Sequence, residues 1–512
     1  MTSDPTDQTD VLDFLRNPKT HGIDTPVEMI TTHSAYVFLA GDLAFKIKRA
    51  VRYNYLDFTT LDARRKVIAH EQALNAPSAP AIYDRVVPIT RDASGQLALG
   101  GTGEPVEYAL RMHRFAREDE LTCIADAGKL TRDLADRLGH VIADLHAAAE
   151  RRPADGAVLI AEIIAELREA FAGMEPTLGH DRLAAYFRRT DQVFADRAAL
   201  LSGRSAEGRV RRCHGDLHLK NLVMIDGQPV PFDALEFDER LGTCDVFYDL
   251  AFLVMDLLHR GLKDQANVLL NSYLRQSGDI AGLATLPLFL SIRAAIRSMV
   301  AVQTLSGAVA GDIALDARNY LEQATGYLSP LPPGLVAVGG LSGSGKTTVA
   351  AGVAADLGPA PGAVHLRSDL ERKAMFGVAP LDRLPDEAYR AGVSRTVYAR
   401  LLDTAGRALQ AGHGVIVDAT FLGSQDRQAV EALATRLRVP FHGIWLSADP
   451  ATLERRVATR AADASDADVG VLRAQLGRGA GPMRWTDIDA SGTPGQVIEA
   501  VKAHVLKGRA GV

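Results

Sequence analysis

The residues with the densest chemistry lie in His214-Gly-Asp-Leu-His-Leu-Lys-Asn221 and Phe232-Asp-Ala-Leu-Glu236. Between them, Asp226-Gly227 separates two apolar runs, and an Asp-Gly pair in that setting is a strong hairpin signal. A hairpin returns the chain on itself, so Asp216, Asn221 and Asp233 converge at its open end. Asn221 and Asp233 offer oxygen atoms suited to Mg2+, a hard ion that also takes phosphate oxygens. Asp216 is then left to orient a substrate hydroxyl and accept its proton. The plainer reading is a polar turn with a satisfied histidine.

A second group starts at Leu335-Val-Ala-Val-Gly, a buried-strand run. It continues as Gly340-Leu-Ser-Gly-Ser-Gly-Lys-Thr-Thr348 and then as helical text to residue 357. This is GxxxxGK[ST] between a strand and a helix, where backbone N–H groups and a helix N-terminus cradle phosphates. Gly340, Ser342, Gly343, Ser344, Gly345 and Thr348 form the cradle. Lys346 reaches the terminal phosphates, and Thr347 ligates Mg2+. A strand over 414–418 ends in Asp418, suited to the Mg2+ shell, and Ala419-Thr420 follows instead of a glutamate. That favours a substrate hydroxyl over water as the nucleophile. Asp369 and Arg372 are three apart and share a face at a helix start. A carboxylate base beside a phosphate-gripping arginine is what hydroxyl phosphorylation requires. An N-capped helix with an exposed arginine is the plain alternative.

The His-Gly-Asp loop with its later aspartate resembles the aminoglycoside phosphotransferase family of the protein-kinase-like fold. The resemblance implies Asp216 as catalytic base, Asn221 and Asp233 as metal ligands and His214 as a brace of the loop. It also implies a strand lysine for the nucleotide phosphates, paired with a helical glutamate. Phe45-Lys-Ile-Lys-Arg49 supplies Lys46 and Lys48, which face the same way, with Lys46 preferred. Glu71 is the helical partner. Asp245 and Asp249 resemble the aspartates that brace such a loop. The stretch at 31–34, Thr-Thr-His-Ser, lacks a glycine-rich clamp, so GTP stays open beside ATP. The Arg367–Arg372 stretch resembles the substrate-binding segment of phage polynucleotide kinase and, more loosely, of gluconate kinase. Arg456 and Arg460, four apart on a helix begun by Asp449-Pro, resemble the arginines of a small P-loop kinase lid. The polar run 461–468 reads as mobile.

The elements that must position these residues follow from the surrounding text. Residues 34–39 and 43–48 read as strands about an Ala-Gly-Asp turn. A helix is expected over 61–74, then strands over 82–89 and 96–112. Mainly helical text covers 131–201 and 248–328. A proline-rich stretch, Leu328-Ser-Pro-Leu-Pro-Pro-Gly334, cannot continue a helix and reads as a linker. The expected order is an extension (1–26), a kinase-like α+β bilobal domain (27–328), a linker (329–333) and an α/β P-loop domain with a parallel sheet (334–512).

Composition limits the partners. The 512 residues are 47% apolar and 23% charged, which excludes a mostly disordered or collagenous chain. Net charge is −6, about +3 from residue 334 onward and about −9 before it, so nucleic acid is not an expected partner. The N-terminus MTSDPTDQTD lacks the cationic and apolar regions of a signal peptide. No membrane partner is expected, because the apolar runs are short. Three scattered cysteines, Cys123, Cys213 and Cys244, favour a reducing, cytoplasmic location. The chain as a whole resembles bacterial proteins that join an aminoglycoside-phosphotransferase-like domain to a P-loop kinase. The expectation is a bifunctional ATP- and Mg2+-dependent phosphotransferase acting on small hydroxylated molecules. In the alternatives, one half regulates the other or the P-loop half phosphorylates nucleic-acid ends. Neither the acceptors nor the oligomeric state are written in the sequence.

Overall fold

The computed structural model describes residues 7–53, 56–305, 310–459 and 463–507. The chain forms two compact units, Met1–Ile163 with Ala198–Asp256 and Ile164–Arg197 with Leu257–Val512.

The first unit is built on a six-stranded antiparallel sheet. Its order is Glu28–Thr31, Ala35–Ala40, Leu43–Lys48, Glu104–His113, Tyr83–Arg91 and Leu97–Leu99. Alternation along Leu43–Lys48 sends Phe45 and Ile47 into a core with Val11, Leu15, Phe38 and Ile89, and Lys46 and Lys48 to the other face. The expected strand over 96–112 is two strands, broken around Gly100–Gly103. A Cβ on Gly103 would lie 2.2 Å from the carbonyl oxygen of Arg91, so the close backbone approach at this break depends on glycine.

Helix Leu61–Asn75 starts at Thr60, whose hydroxyl accepts from the Ala63 N–H. Its buried stripe is Arg64, Ile68, Glu71 and Asn75, three polar groups of four. Each polar member has a partner: Arg64 pairs with Glu107 at 2.8 Å, Glu71 with two lysines, and Asn75 accepts from the Ala234 N–H. Hairpin strands Leu222–Ile225 and Gln228–Pro231 turn through Asp226 and Gly227, both at positive φ, as a two-residue hairpin requires.

The second unit contains a five-stranded parallel sheet, ordered Val364–Arg367, Val415–Asp418, Leu335–Gly340, Phe441–Ser447 and Thr486–Asp489. All six residues of the central strand Leu335–Gly340 are buried, as its apolar text demands. Helices Lys346–Ala354 and Pro494–Lys507 pack on it through Val349, Val353, Val497 and Val501. Among the described residues, no sixth strand lies beside the edge strand Val364–Arg367. Helix Lys263–Ser277 caps that edge with side-chain amides. Asn267 and Asn271 donate to the Ala363 carbonyl at 3.0 and 3.1 Å, and Asn271 accepts from the His365 N–H at 2.7 Å. Helix Leu286–Gln303 is apolar and long enough to cross a membrane by composition, yet just over half of it is buried within the protein, as in a core helix.

Candidate active sites

In the first unit the strand Leu43–Lys48 and the helix Leu61–Asn75 bring three charges together. Lys46 Nζ lies 2.7 Å from Glu71 and 2.8 Å from Asp233. Lys48 Nζ lies 2.6 Å from Glu71 and 2.5 Å from Glu236. One buried carboxylate therefore bridges two ammonium groups. Burial would favour the neutral amine of Lys46, but Asp233, Glu71 and Glu236 outweigh it and raise its pKa well above the usual lysine range. Burial likewise pushes Glu71 and Asp233 upward, and the two lysines overcome it and hold both carboxyls below their usual range. Lys48 is fully buried, whereas the Asp233 side chain is 42% exposed, so the Lys46 end of the network is the one open to a ligand.

Asp233 has a φ of +59°, a left-handed conformation that disfavours residues with a Cβ. Two hydrogen bonds fix it there. Its N–H donates to the Tyr83 hydroxyl at 2.9 Å, and the next N–H, of Ala234, donates to Asn75 at 2.8 Å.

The loop before it is equally constrained. Asn221 Nδ2 donates to the Asp216 carbonyl and to its carboxylate, at 2.9 and 3.0 Å. The Asn221 amide nitrogen is committed, so its oxygen is the atom it offers a cation. The His214 ring bridges the Phe232 carbonyl at 2.9 Å and the Asp216 N–H at 3.3 Å, which uses one nitrogen as donor and the other as acceptor. Burial lowers its pKa and keeps it in that neutral form. Asp249 accepts from the His214 and Gly215 N–H groups at 3.1 and 2.8 Å and meets His146 at 3.2 Å. Asp245 is buried too, but it serves Arg204, at 2.7 and 2.8 Å, and the Phe247 N–H. His218 lies 3.4 Å from the Asp216 carboxylate. Asp216, Asn221 and Asp233 are thus held in one place, with the Asp216 charge felt at Asp233. Their oxygen-rich set fits a hard cation.

In the second unit the loop after Leu335–Gly340 turns through Gly340, Gly343 and Gly345, all at positive φ. A Cβ on Gly340 would meet the Leu446 carbonyl at 2.6 Å, and one on Gly343 the Leu453 carbonyl at 2.8 Å. Helix Lys346–Ala354 starts at this loop and aims its N-terminus there. Lys346 Nζ donates to the Leu341 carbonyl at 3.0 Å. The Thr347 hydroxyl donates to Asp418 at 2.6 Å, so the two oxygen donors expected for Mg2+ are adjacent. Burial would raise the Asp418 carboxyl, but His365, Lys346 and Thr347 hold it below its usual range. Ser342 and Ser344 are buried, and Thr348 is exposed on the first helical turn. Asp369 and Arg372 both lie on helix Ser368–Met375. Burial and the nearby Asp418 raise the Asp369 carboxyl, against Lys346, Arg367 and a hydrogen bond from Ser465.

A sequence model described as the phosphotransferase enzyme family matches residues 44–286, and one described as an AAA domain matches 335–482. The uncharacterized proteins Rv2004c of Mycobacterium tuberculosis and Mb2027c of Mycobacterium bovis are each 30% identical over 478 residues, covering 91% of this chain and 93% of the relative. The chain belongs to their family. This chain carries a kinase-like phosphotransferase fold followed by a P-loop domain, and those two domains indicate a nucleotide-using phosphotransferase. Among solved structures, the chain is similar to the GDP complex of aminoglycoside 2′-phosphotransferase-IIIa, at 13% identity and a TM-score of 0.38 over 62% of this chain and 99% of that one. It is also similar to a gluconokinase from Sinorhizobium meliloti 1021, at 21% identity and a TM-score of 0.24 over 35% and 97%.

Several residues of this family member sit where the sequence did not suggest. The Arg456 guanidinium does not join the Lys346 cluster; it donates to the carbonyls of Ala490, Ser491 and Gly492 at 2.8–3.3 Å. Arg460 lies outside the described residues, as do 461 and 462. Arg372 is not an exposed helix arginine. It is 7% exposed, donates to the Ala388 carbonyl and lies 5.0 Å from the Tyr389 ring. The described part of the polar run, from Asp463 on, is docked rather than loose. Asp463 meets Arg367 at 2.9 Å, and Asp466 meets Lys373, the Tyr389 hydroxyl and the Leu384 N–H. Its acidic side chains serve ion pairs, which polarity alone does not distinguish from solvation.

Three contributors escaped sequence reasoning. Glu236 takes the second lysine, and two lysines on one strand face were a signal that more than one carboxylate must meet them. His365 lies 3.6 Å and Arg367 4.0 Å from Asp418. Nothing in the local text marks His365.

Proposed function

We propose that the chain is a bifunctional phosphotransferase in which residues 27–328 and 334–512 each transfer the γ-phosphoryl group of ATP to a hydroxyl of a small molecule. The observation that supports this reading is that each unit gathers a comparable set of groups. Each unit holds its own carboxylate base candidate, its own cation for phosphates and its own pair of oxygen donors.

In the first half Lys46, anchored by Glu71, binds nucleotide phosphates, and Asp216 accepts the proton of the acceptor hydroxyl. Asn221 and Asp233 hold Mg2+. In the second half the loop Gly340–Thr348 and Lys346 grip the phosphates, Thr347 and Asp418 hold the metal, and Asp369 takes the acceptor proton, with Arg372 at the acceptor side. When bound, the metal neutralises charge on the transferring phosphates; positioning by the protein does the rest. A screen of hydroxylated metabolites for acceptor-dependent ADP formation tests the reading. At least one acceptor should emerge for the wild-type chain. A chain that binds nucleotide in both halves but transfers to nothing beyond water would contradict it.

A further inference from the structure

In the second unit, the donors around Asp418 gather on one of its two oxygens. The Thr347 hydroxyl lies 2.6 Å from Oδ2. His365 Nε2 lies 3.6 Å and Arg367 Nε 4.0 Å from the same atom. Among the described residues no donor meets Oδ1, so that oxygen is left to a cation or its water shell. His365 and Arg367 come from the edge strand Val364–Arg367, where Arg367 pairs with Asp418 and His365 with Ile416. Two positions apart on paired strands, all four share one face of the sheet. The His365 side chain is 11% exposed, and its Nε2 makes no hydrogen bond among the described residues. A buried ring nitrogen left unpaired costs stability, and Asp418 is the carboxylate it meets. The backbone of His365 is held from far away in the sequence. Its N–H donates to Asn271 Oδ1 at 2.7 Å. Asn271 and Asn267 donate to the Ala363 carbonyl at 3.1 and 3.0 Å. The outward N–H and C=O groups of an edge strand need such partners. Helix Lys263–Ser277, which carries both amides, precedes the proline-rich linker yet belongs to the compact unit of the P-loop sheet.

We propose that His365 is a positioning residue for Asp418 and that Asn271 sets the strand that carries it. The inference rests on reading Thr347 and Asp418 as the pair that holds Mg2+. His365 touches no substrate and acts through Asp418 alone. Its ring and the Thr347 hydroxyl hold Oδ2 and leave Oδ1 for the metal's shell. Outer partners of this kind orient a ligating carboxylate and tune how well it binds. A helix from the stretch expected to form the first catalytic half thus completes the metal end of the second. No residue of the first site takes part, so the two chemistries stay separate.

The test measures binding of a non-hydrolysable ATP analogue to the full-length chain, with and without Mg2+. The share of binding lost in Lys346→Ala is that of the second half. His365→Leu should leave metal-free binding in place and raise the Mg2+ concentration needed for half-maximal tight binding by about 10–100-fold, the usual cost of losing an outer partner. His365→Gln, which can still donate to Asp418, should restore most of it. Asn271→Leu should shift the requirement in the same direction by a smaller factor. Asn271→Asp, which keeps an acceptor for the His365 N–H, should not shift it. Asp418→Asn separates this inference from the reading beneath it. If that variant leaves the Mg2+ requirement unchanged, the metal assignment falls and this inference with it. If Asp418→Asn raises the requirement and His365→Leu does not, only this inference is overturned. Equal loss of metal-free and Mg2+-dependent affinity in His365→Leu, or no rescue by His365→Gln, would make His365 merely structural and overturn it too. Should His365→Leu not fold, the Asn271 pair decides, and no shift in Asn271→Leu is the contrary result.

Discussion

In the first site every cation is matched by carboxylates from distant parts of the chain. Lys46 and Lys48 leave one strand, Glu71 comes from a helix, and Asp233 and Glu236 come from beyond the hairpin. In the second site most of the machinery lies within nine consecutive residues, Gly340 to Thr348, and Lys346 rests on a carbonyl of its own loop. The first is a long-range ion network that stands or falls with the packing of its unit. The second is local backbone geometry completed by Asp418 and Asp369. Damage to a single charge should therefore spread through folding in the first site and stay chemical in the second.

Asp369→Asn should give the largest effect of this kind. It leaves the phosphate loop, Thr347 and Asp418 in place, so nucleotide affinity should hold while acceptor phosphorylation by the second half falls by about 10²-fold or more, the scale of a lost general base. Full transfer by the variant would remove Asp369 from that role.

Glu71→Gln should instead reach stability. It strips the shared counter-charge from two lysines, one of them fully buried, and breaking such a pair costs about 3–5 kcal/mol. Denaturant unfolding should show that loss, together with weaker nucleotide binding in the first half. Unchanged stability would mean that Asp233 and Glu236 suffice. Thr347→Val, a near-isosteric change, removes only the hydroxyl that donates to Asp418. Thr347 is also a proposed metal ligand, so Mg2+-nucleotide affinity in the second half should fall roughly tenfold, about 1.4 kcal/mol, while the lost hydrogen bond lowers stability by no more than about 1.5–3 kcal/mol. A large loss of melting temperature would make Thr347 structural.

How much of this was legible differs between the sites for the same reason. The phosphate loop declares itself because its glycines and Lys346 must be contiguous, and the hairpin declares itself through Asp226-Gly227. The pairing of Lys46 with Glu71 followed from family resemblance, since nothing local joins positions 25 residues apart. Arg456 shows the limit. Its spacing fitted a lid, but the carbonyls that hold it, at 490–492, come from a strand end that no periodicity places there. The helical amides of Asn267 and Asn271 were equally silent, because Asn four residues apart on a helix looks like solvated surface until a sheet edge arrives beside it. Asn271→Leu should show the smallest of the effects. It leaves the His365 N–H without its partner, for an expected loss of about 1–3 kcal/mol in thermal or denaturant unfolding. A neutral result would mean that Asn267 alone caps the edge.

Independence of the two proposed sites within one chain is what the proposed function requires. It is tested most directly by measuring ADP formation, with identified acceptors, in Asp216→Asn, in Lys346→Ala and in the chain carrying both changes. Each single variant should keep the acceptor-dependent activity of the other half, and the double variant should lose both. If either single change abolishes all transfer, only one half is catalytic and the other serves it.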